Sequence, residues 1–284
     1  ATVDSNNLGF INSNLVAIIY ADGEIVDGNK YQDNAVYGSR LASELRAARL
    51  DDNTKAVVVR VNSPGGSALA SEIAWYEMKL LQEQKPVVIS MGDMAASGGY
   101  YISAPADYIF SDKSTLTGSI GVFGMIPNAK NFLTYRLGIT FDGVKTSQAA
   151  VTPSIFQPVT DIQRKNLTKS VDRVYETFTQ HVAEGRNLTI EQVYNIAEGR
   201  VWSGVDAVRI GLADEFGGLA AAINVAAERG GVASDFRIVE ITEELTGLMQ
   251  LFSSATTSAR QRVMRRELGV LYEPWSQMRA LESK

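Results

Sequence analysis

Three short apolar runs rich in β-branched residues, 15–20 (LVAIIY), 55–61 (KAVVVRV) and 87–91 (VVISM), constrain the fold more than any other feature of the chain. Their length is that of strands, and they are apolar along their whole length instead of at every second residue. That is the pattern of strands buried on both faces of a largely parallel sheet. Helical patterns separate them: Leu41, Leu45 and Ala48 within 38–50, and Ile73, Tyr76, Leu80 and Leu81 within 67–84. Strand, helix, strand, helix with short links implies right-handed crossovers and an α/β fold.

Further along, Leu167, Val171, Val174, Tyr175, Phe178 and Val182 mark one long helix, opened by a capping box of Thr160 with Gln163. A second box, Thr189 with Gln192, opens a shorter helix that Gly199 ends. An Ala-rich helix follows Gly217 and Gly218, then a strand over 236–241. The last 40 or so residues read as helical, with Arg260, Arg262, Arg265 and Arg266 close together as a solvated face. At about 150 residues per domain, 284 residues make two domains or one large α/β domain. The organisation expected is a core over 10–225 with a helical extension over 226–284.

Composition removes several function classes. With 27 Lys and Arg against 32 Asp and Glu, the net charge is −5, which disfavours a nucleic-acid binder. Cysteine is absent, so thiolate nucleophiles and Cys-ligated metals are excluded, and the one histidine, His181, leaves little for a triad or metal site. No metal or cofactor is expected. No run approaches the about 18 apolar residues of a membrane span, so the segment itself reads as soluble. The chain opens on Ala1 without Met, which reads as a processed piece or part of something longer.

The chemistry points to two glycine-bearing turns, each after a buried strand. In Asn62-Ser63-Pro64-Gly65-Gly66-Ser67 the glycines leave the backbone bare at a helix start. In Gly92-Asp93-Met94-Ala95-Ala96-Ser97-Gly98-Gly99-Tyr100 a serine sits among small residues that let a substrate backbone approach. Neither is a P-loop, Gly118, Gly121 and Gly124 lack the GxGxxG spacing, and Ser97 is outside a GxSxG elbow. A hydroxyl and a bare N–H turn converging on one carbonyl is what acyl transfer requires.

NSPGGS followed by GDMAASGGYYIS closely resembles the signal peptide peptidase A (protease IV) family of bacterial serine peptidases. Residues 114–122 (STLTGSIGV), 199–207 (GRVWSGVDA) and 211–214 (GLAD) agree with it. The resemblance implies a Clp/crotonase-like spiral of β-β-α units and a Ser/Lys dyad, with Ser97 as nucleophile and the Gly66 and Gly98 N–H groups as oxyanion hole. It also implies peptide substrates, including signal peptides, bound as an added strand along a groove floored by residues such as Gly118–Gly124; with Met94, Ala95, Ala96 and Val122 expected to line the turn, small or aliphatic residues are expected near the cut. A homo-oligomeric ring and association with the bacterial inner membrane complete the expectation.

The base departs from the family pattern. Aligning Ala-Val-Thr-Pro at 150–153 with the family puts Gln148 where the lysine belongs, and a neutral amide cannot take the proton. Lys145 is the nearby candidate base. Double-length family members take the lysine from a first copy of the fold and the serine from a second; this chain resembles that second copy, with the base supplied from outside it. Two other readings stay open: a crotonase-like acyl-CoA enzyme, and a catalytically silent assembly or adaptor domain. His181 reads as a structural histidine, Trp202 as packing, Tyr100 and Tyr101 as core and groove wall, and Asp93 as either groove wall or turn residue.

Overall fold

The computed structural model describes residues 14–28, 34–142 and 155–241. The chain begins with β1 (Leu15–Asp22), a short parallel pair β2 (Glu24–Val26) and β3 (Ala35–Tyr37), and helix α1 (Gly38–Leu50). Two long strands follow, each leading into a helix: β4 (Thr54–Ser63) into α2 (Ala68–Gln82), and β5 (Val87–Ala96) into α3 (Gly98–Ser103). Next come β6 (Tyr108–Ser111), β7 (Leu116–Gly118), α4 (Lys130–Leu137) and the long α5 (Asp161–Arg186). The remainder is α6 (Ile190–Ile196), β8 (Val201–Ser203), α7 (Gly204–Arg209), β9 (Glu215–Phe216), α8 (Leu219–Arg229) and β10 (Arg237–Glu240).

The main sheet runs β10-β1-β4-β5-β6-β9 with every neighbouring pair parallel, the α/β arrangement expected. Both faces are covered, which is why the strands are continuously apolar. Ala17, Ile19, Val57, Val59, Ile89 and Met91 pack with α1, α2, α3 and α5. Val16, Ile18, Ala56, Val58 and Val88 face the other way, toward Ala222 and Ala226 of α8. Both capping boxes form as expected, at Thr160 and at Thr189.

Two details differ from the sequence reading. The buried face of α2 is Ala70, Ala74, Met78 and Leu81, whereas Ile73 and Tyr76 are exposed. Small alanines let the helix lie close to its neighbours, and Gly38 of α1 approaches so near that a Cβ there would meet the Ala70 carbonyl oxygen at 2.5 Å. In addition, residues 226–241, placed in the C-terminal extension, continue the core: α8 packs on the sheet and β10 pairs in parallel with β1. Residues 242–284, with the four arginines, lie outside the described residues.

The strand that matters most for the site is β5. Its first half pairs with β6 at Val88–Ser90, its second half with β7 at Met94–Ala96. Against β4, Val61 faces Met91 but Ser63 faces Ala95, so β5 bulges where Gly92 passes Asn62. Asn62 bridges the strand ends, accepting from the Met94 N–H at 3.2 Å and donating to Asp22 at 2.9 Å. The C-terminal ends of β4 and β5 thus open side by side.

Leu45 is fully buried between α1 and the sheet, and Leu50 of the same helix is exposed. Leu45→Ala is expected to lower unfolding free energy by about 2–5 kcal/mol, and Leu50→Ala by no more than about 0.5 kcal/mol. Chemical denaturation of both variants measures the contrast.

Candidate active site

Both turns emerge at that shared edge. The first runs from Ser63 to Ser67, whose hydroxyl caps α2 by accepting from the Ala70 N–H at 3.2 Å. It is pinned to β2: the Ile25 N–H donates to the Gly65 carbonyl at 2.8 Å, and the Ser67 N–H to the Ile25 carbonyl at 2.7 Å. The second turn passes from Ala96 through Ser97 into α3. Ser97 has φ 52° and ψ −118°, a conformation that a residue with a Cβ rarely holds and that costs about 1–3 kcal/mol. Two backbone bonds oppose its relaxation, from the Ser97 N–H to the Gly118 carbonyl at 2.9 Å and from the Tyr101 N–H to the Ser97 carbonyl at 2.8 Å.

The turns touch through their backbones. A Cβ on Gly65 would stand 2.6 Å from the Gly98 nitrogen and 2.8 Å from the Ser97 Cβ. One on Gly98 would stand 3.2 Å from the Gly65 Cα and 3.3 Å from the Gly66 nitrogen. Ser97, Gly66 and Gly98 are therefore brought together, across a contact that no larger residue permits.

They line one cleft of about 1000 Å³. Val122 joins them there, with Val171, Val174, Tyr175 and Phe178 of α5 as a wall. Met94, Ala95 and Ala96 do not line it: Ala95 and Ala96 are buried, and all three residues pair with β7. Asp93 is exposed beside a separate cavity of about 210 Å³ with Asp22, Arg60 and Asn62. The α5 wall was visible in the sequence only as a helix stripe. Its upper part, Phe178 and Val182, is core, while Val171 and Val174 are half-buried at the cleft.

The described lining residues bring carboxylates but no cation: Glu24, Asp172 and Glu198 border the cleft, and no Lys, Arg or His is among them. Lys145 and Gln148 lie outside the described residues. Among the described residues no cluster of His, Cys, Asp and Glu fit to hold a metal occurs.

His181 is packed instead of poised. Its ring stacks on Trp75 with centroids 3.4 Å apart, stands edge-on to Tyr101, and its Nε2 lies 3.2 Å from a Glu72 carboxylate oxygen. Burial holds its pKa below the ordinary 6.5, with Glu72 and Glu184 partly offsetting that. Trp202 packs as expected, its indole N–H donating to the Ile196 carbonyl at 2.9 Å. Tyr100 is core, with its hydroxyl on the Leu212 carbonyl, and Tyr101 lines the cleft.

Fold and site together define an α/β protein that presents a strained serine and two backbone turns to a single cleft. Residues 79–233, more than half of the chain, match the model of Peptidase family S49. Protease 4 of Haemophilus influenzae is 40% identical over 263 residues, covering 90% of this chain and 42% of that protein. The chloroplastic serine protease SPPA of Arabidopsis thaliana is 35% identical over 250 residues, covering 86% and 37%. Among solved structures, a ClpP1 mutant from Listeria monocytogenes matches with 15% identity and a TM-score of 0.46, covering 72% of this chain and 94% of that one. The chain belongs to peptidase family S49. It spans about two fifths of the length of the two curated relatives.

The lowered His181 pKa sets a sign for stability. The unfolded chain binds the proton more readily, so this contribution is full above about pH 6.5 and is lost as pH falls through the lower folded value. Thermal melts from pH 8 to pH 5 should show wild type losing more stability than His181→Gln over the range just below 6.5. Equal losses would show that His181 is not held neutral by its surroundings.

Proposed function

We propose that this chain carries the serine half of a Ser/Lys endopeptidase that cleaves signal peptides and other membrane-associated peptides. Ser97 Oγ attacks the scissile carbonyl while a lysine takes its proton. The Gly66 and Gly98 N–H groups hold the oxyanion, the amine departs with the proton, and water then releases the acyl group. The observation that carries this reading is the backbone contact of the Gly65-Gly66 turn with Ser97 and Gly98 at one end of one cleft. A strained serine at a strand-to-helix junction, held by bonds on both sides, adds to it.

The base comes from outside the chain, or from Lys145. Supporting the first option, the described cleft residues include no cation, and Gln148 stands at the family's lysine position. The wall of Val122, Val171, Val174 and Phe178 favours small or aliphatic residues near the cleaved bond. Assembly into a homo-oligomeric ring at the bacterial inner membrane belongs to the same proposal. Exposed apolar residues near α4 support self-association: Phe123 is 90%, Met125 83% and Tyr135 80% exposed. No helix among the described residues is long and apolar enough to cross a membrane.

A fluorophosphonate probe tests the nucleophile. Label is expected on Ser97 of the Gln148→Lys chain by peptide mapping and none once Ser97→Ala is added; no label on either chain favours the acyl-CoA or adaptor reading. For the base, Gln148→Lys is expected to raise cleavage of an aliphatic peptide ester by about 10²–10⁴-fold. Substantial activity in the unmodified chain, lost on Lys145→Ala, assigns the base to Lys145 instead.

A further inference from the structure

The two turns sit on the N-termini of α2 and α3, so the spacing of these helices sets the spacing of the Gly66 and Gly98 N–H groups. One turn behind the site, a side-chain link joins them. The Tyr101 hydroxyl of α3 donates to a carboxylate oxygen of Glu72 in α2. The same Glu72 oxygen lies 3.2 Å from His181 Nε2 of α5, and the His181 ring stacks on Trp75, three residues beyond Glu72 on α2. Tyr101 also meets Phe178 of α5 with ring centroids 4.6 Å apart. Next to Glu72, Ser71 underlies the turn itself: its Oγ is 2.5 Å from where a Cβ of Gly98 would stand.

We propose that Glu72 is a positioning residue: by holding the Tyr101 hydroxyl it fixes α3 against α2, and thereby keeps Ser97 and the Gly98 N–H in register with Gly66. The proposal rests on the peptidase reading above for its chemical consequence, but its structural part stands apart from it. Tyr101 is the residue whose N–H secures the Ser97 carbonyl, so its placement acts directly on the strained serine. Burial, and then the Glu72 carboxylate, hold the phenol pKa above its ordinary value, so Tyr101 stays a donor at neutral pH. Two N–H groups stabilise an oxyanion only when both reach it at about 2.7–3.1 Å, so a slip between the helices weakens transition-state binding before ground-state binding. None of this is carried by the cleft wall alone, because Glu72 is not among the residues lining the cleft.

The test uses the full chain with Tyr101→Phe, Glu72→Ala and Glu72→Gln, and measures affinity for a leucyl peptide aldehyde and for the matching peptide amide. Hydrogen exchange over residues 98–103 is followed in parallel. Tyr101→Phe and Glu72→Ala are expected to lose about 10–100-fold in aldehyde affinity, a larger loss than in amide affinity, with exchange in 98–103 accelerated. Glu72→Gln, whose amide oxygen still accepts from Tyr101, is expected to restore most of both. If Glu72→Ala does not fold, Tyr101→Phe, which removes a single oxygen, decides the matter. Aldehyde affinity and exchange unchanged in Tyr101→Phe would overturn the proposal, as would equal losses of aldehyde and amide binding. Aldehyde binding that is identical in wild type and Ser97→Ala defeats the peptidase reading. The exchange data then decide alone, with acceleration supporting the positioning role and its absence overturning it.

Discussion

Everything at the site depends on two backbone segments lying in direct contact where side chains would keep them apart. The Gly65-Gly66 turn and the Ser97-Gly98 turn approach until a single added Cβ would overlap the opposite chain. Such an approach is possible because β4 and β5 are adjacent and parallel, so the helices that follow them start at the same edge. The bulge of β5 opposite Asn62 then carries Ser97 to the level of Gly65. β2 holds the first turn from the opposite side, through its bonds to Gly65 and Ser67. Strain at Ser97 is the local cost of this arrangement, and the packed, entirely buried α3 is what sustains it.

Much of this was legible in the sequence, for definite reasons. β1, β4 and β5 announced themselves because both faces of the sheet are covered, and α5 and α6 because their capping boxes are local in sequence. The two turns were legible as small residues at consecutive strand ends, a pattern that parallel topology converts into proximity, whereas the choice of Ser97, Gly66 and Gly98 within them came from the family resemblance. Strands of two to four residues such as β7, β8 and β9 left no period to read, since their pairing is tertiary. The stretch Met94–Ala96 looked like groove lining because Gly92 and Asp93 resemble the end of a strand. Pairing with β7 keeps it extended and turns Ala95 and Ala96 inward. A helix stripe does not distinguish core from cleft wall, so Val171 and Val174 were placed on α5 but not in the site.

Electrostatics give the cleft an unfinished character. Carboxylates of Glu24, Asp172 and Glu198 border it without a cation among the described lining residues, while a serine nucleophile needs a base of lowered pKa close by. Behind the cleft, one Glu72 carboxylate oxygen meets both the Tyr101 hydroxyl and His181 Nε2, and the His181 ring stacks on Trp75, so the chain's one histidine is committed to packing and spacing.

The central claim is that Ser97, Gly66 and Gly98 act on one carbonyl. A crystal structure of the chain with a peptide aldehyde tests it most directly. The account requires a covalent hemiacetal on Ser97 Oγ, with its oxygen within about 3.1 Å of both the Gly66 and Gly98 nitrogens. An aldehyde bound without a bond to Ser97, or a hemiacetal whose oxygen points away from those two nitrogens, would contradict it.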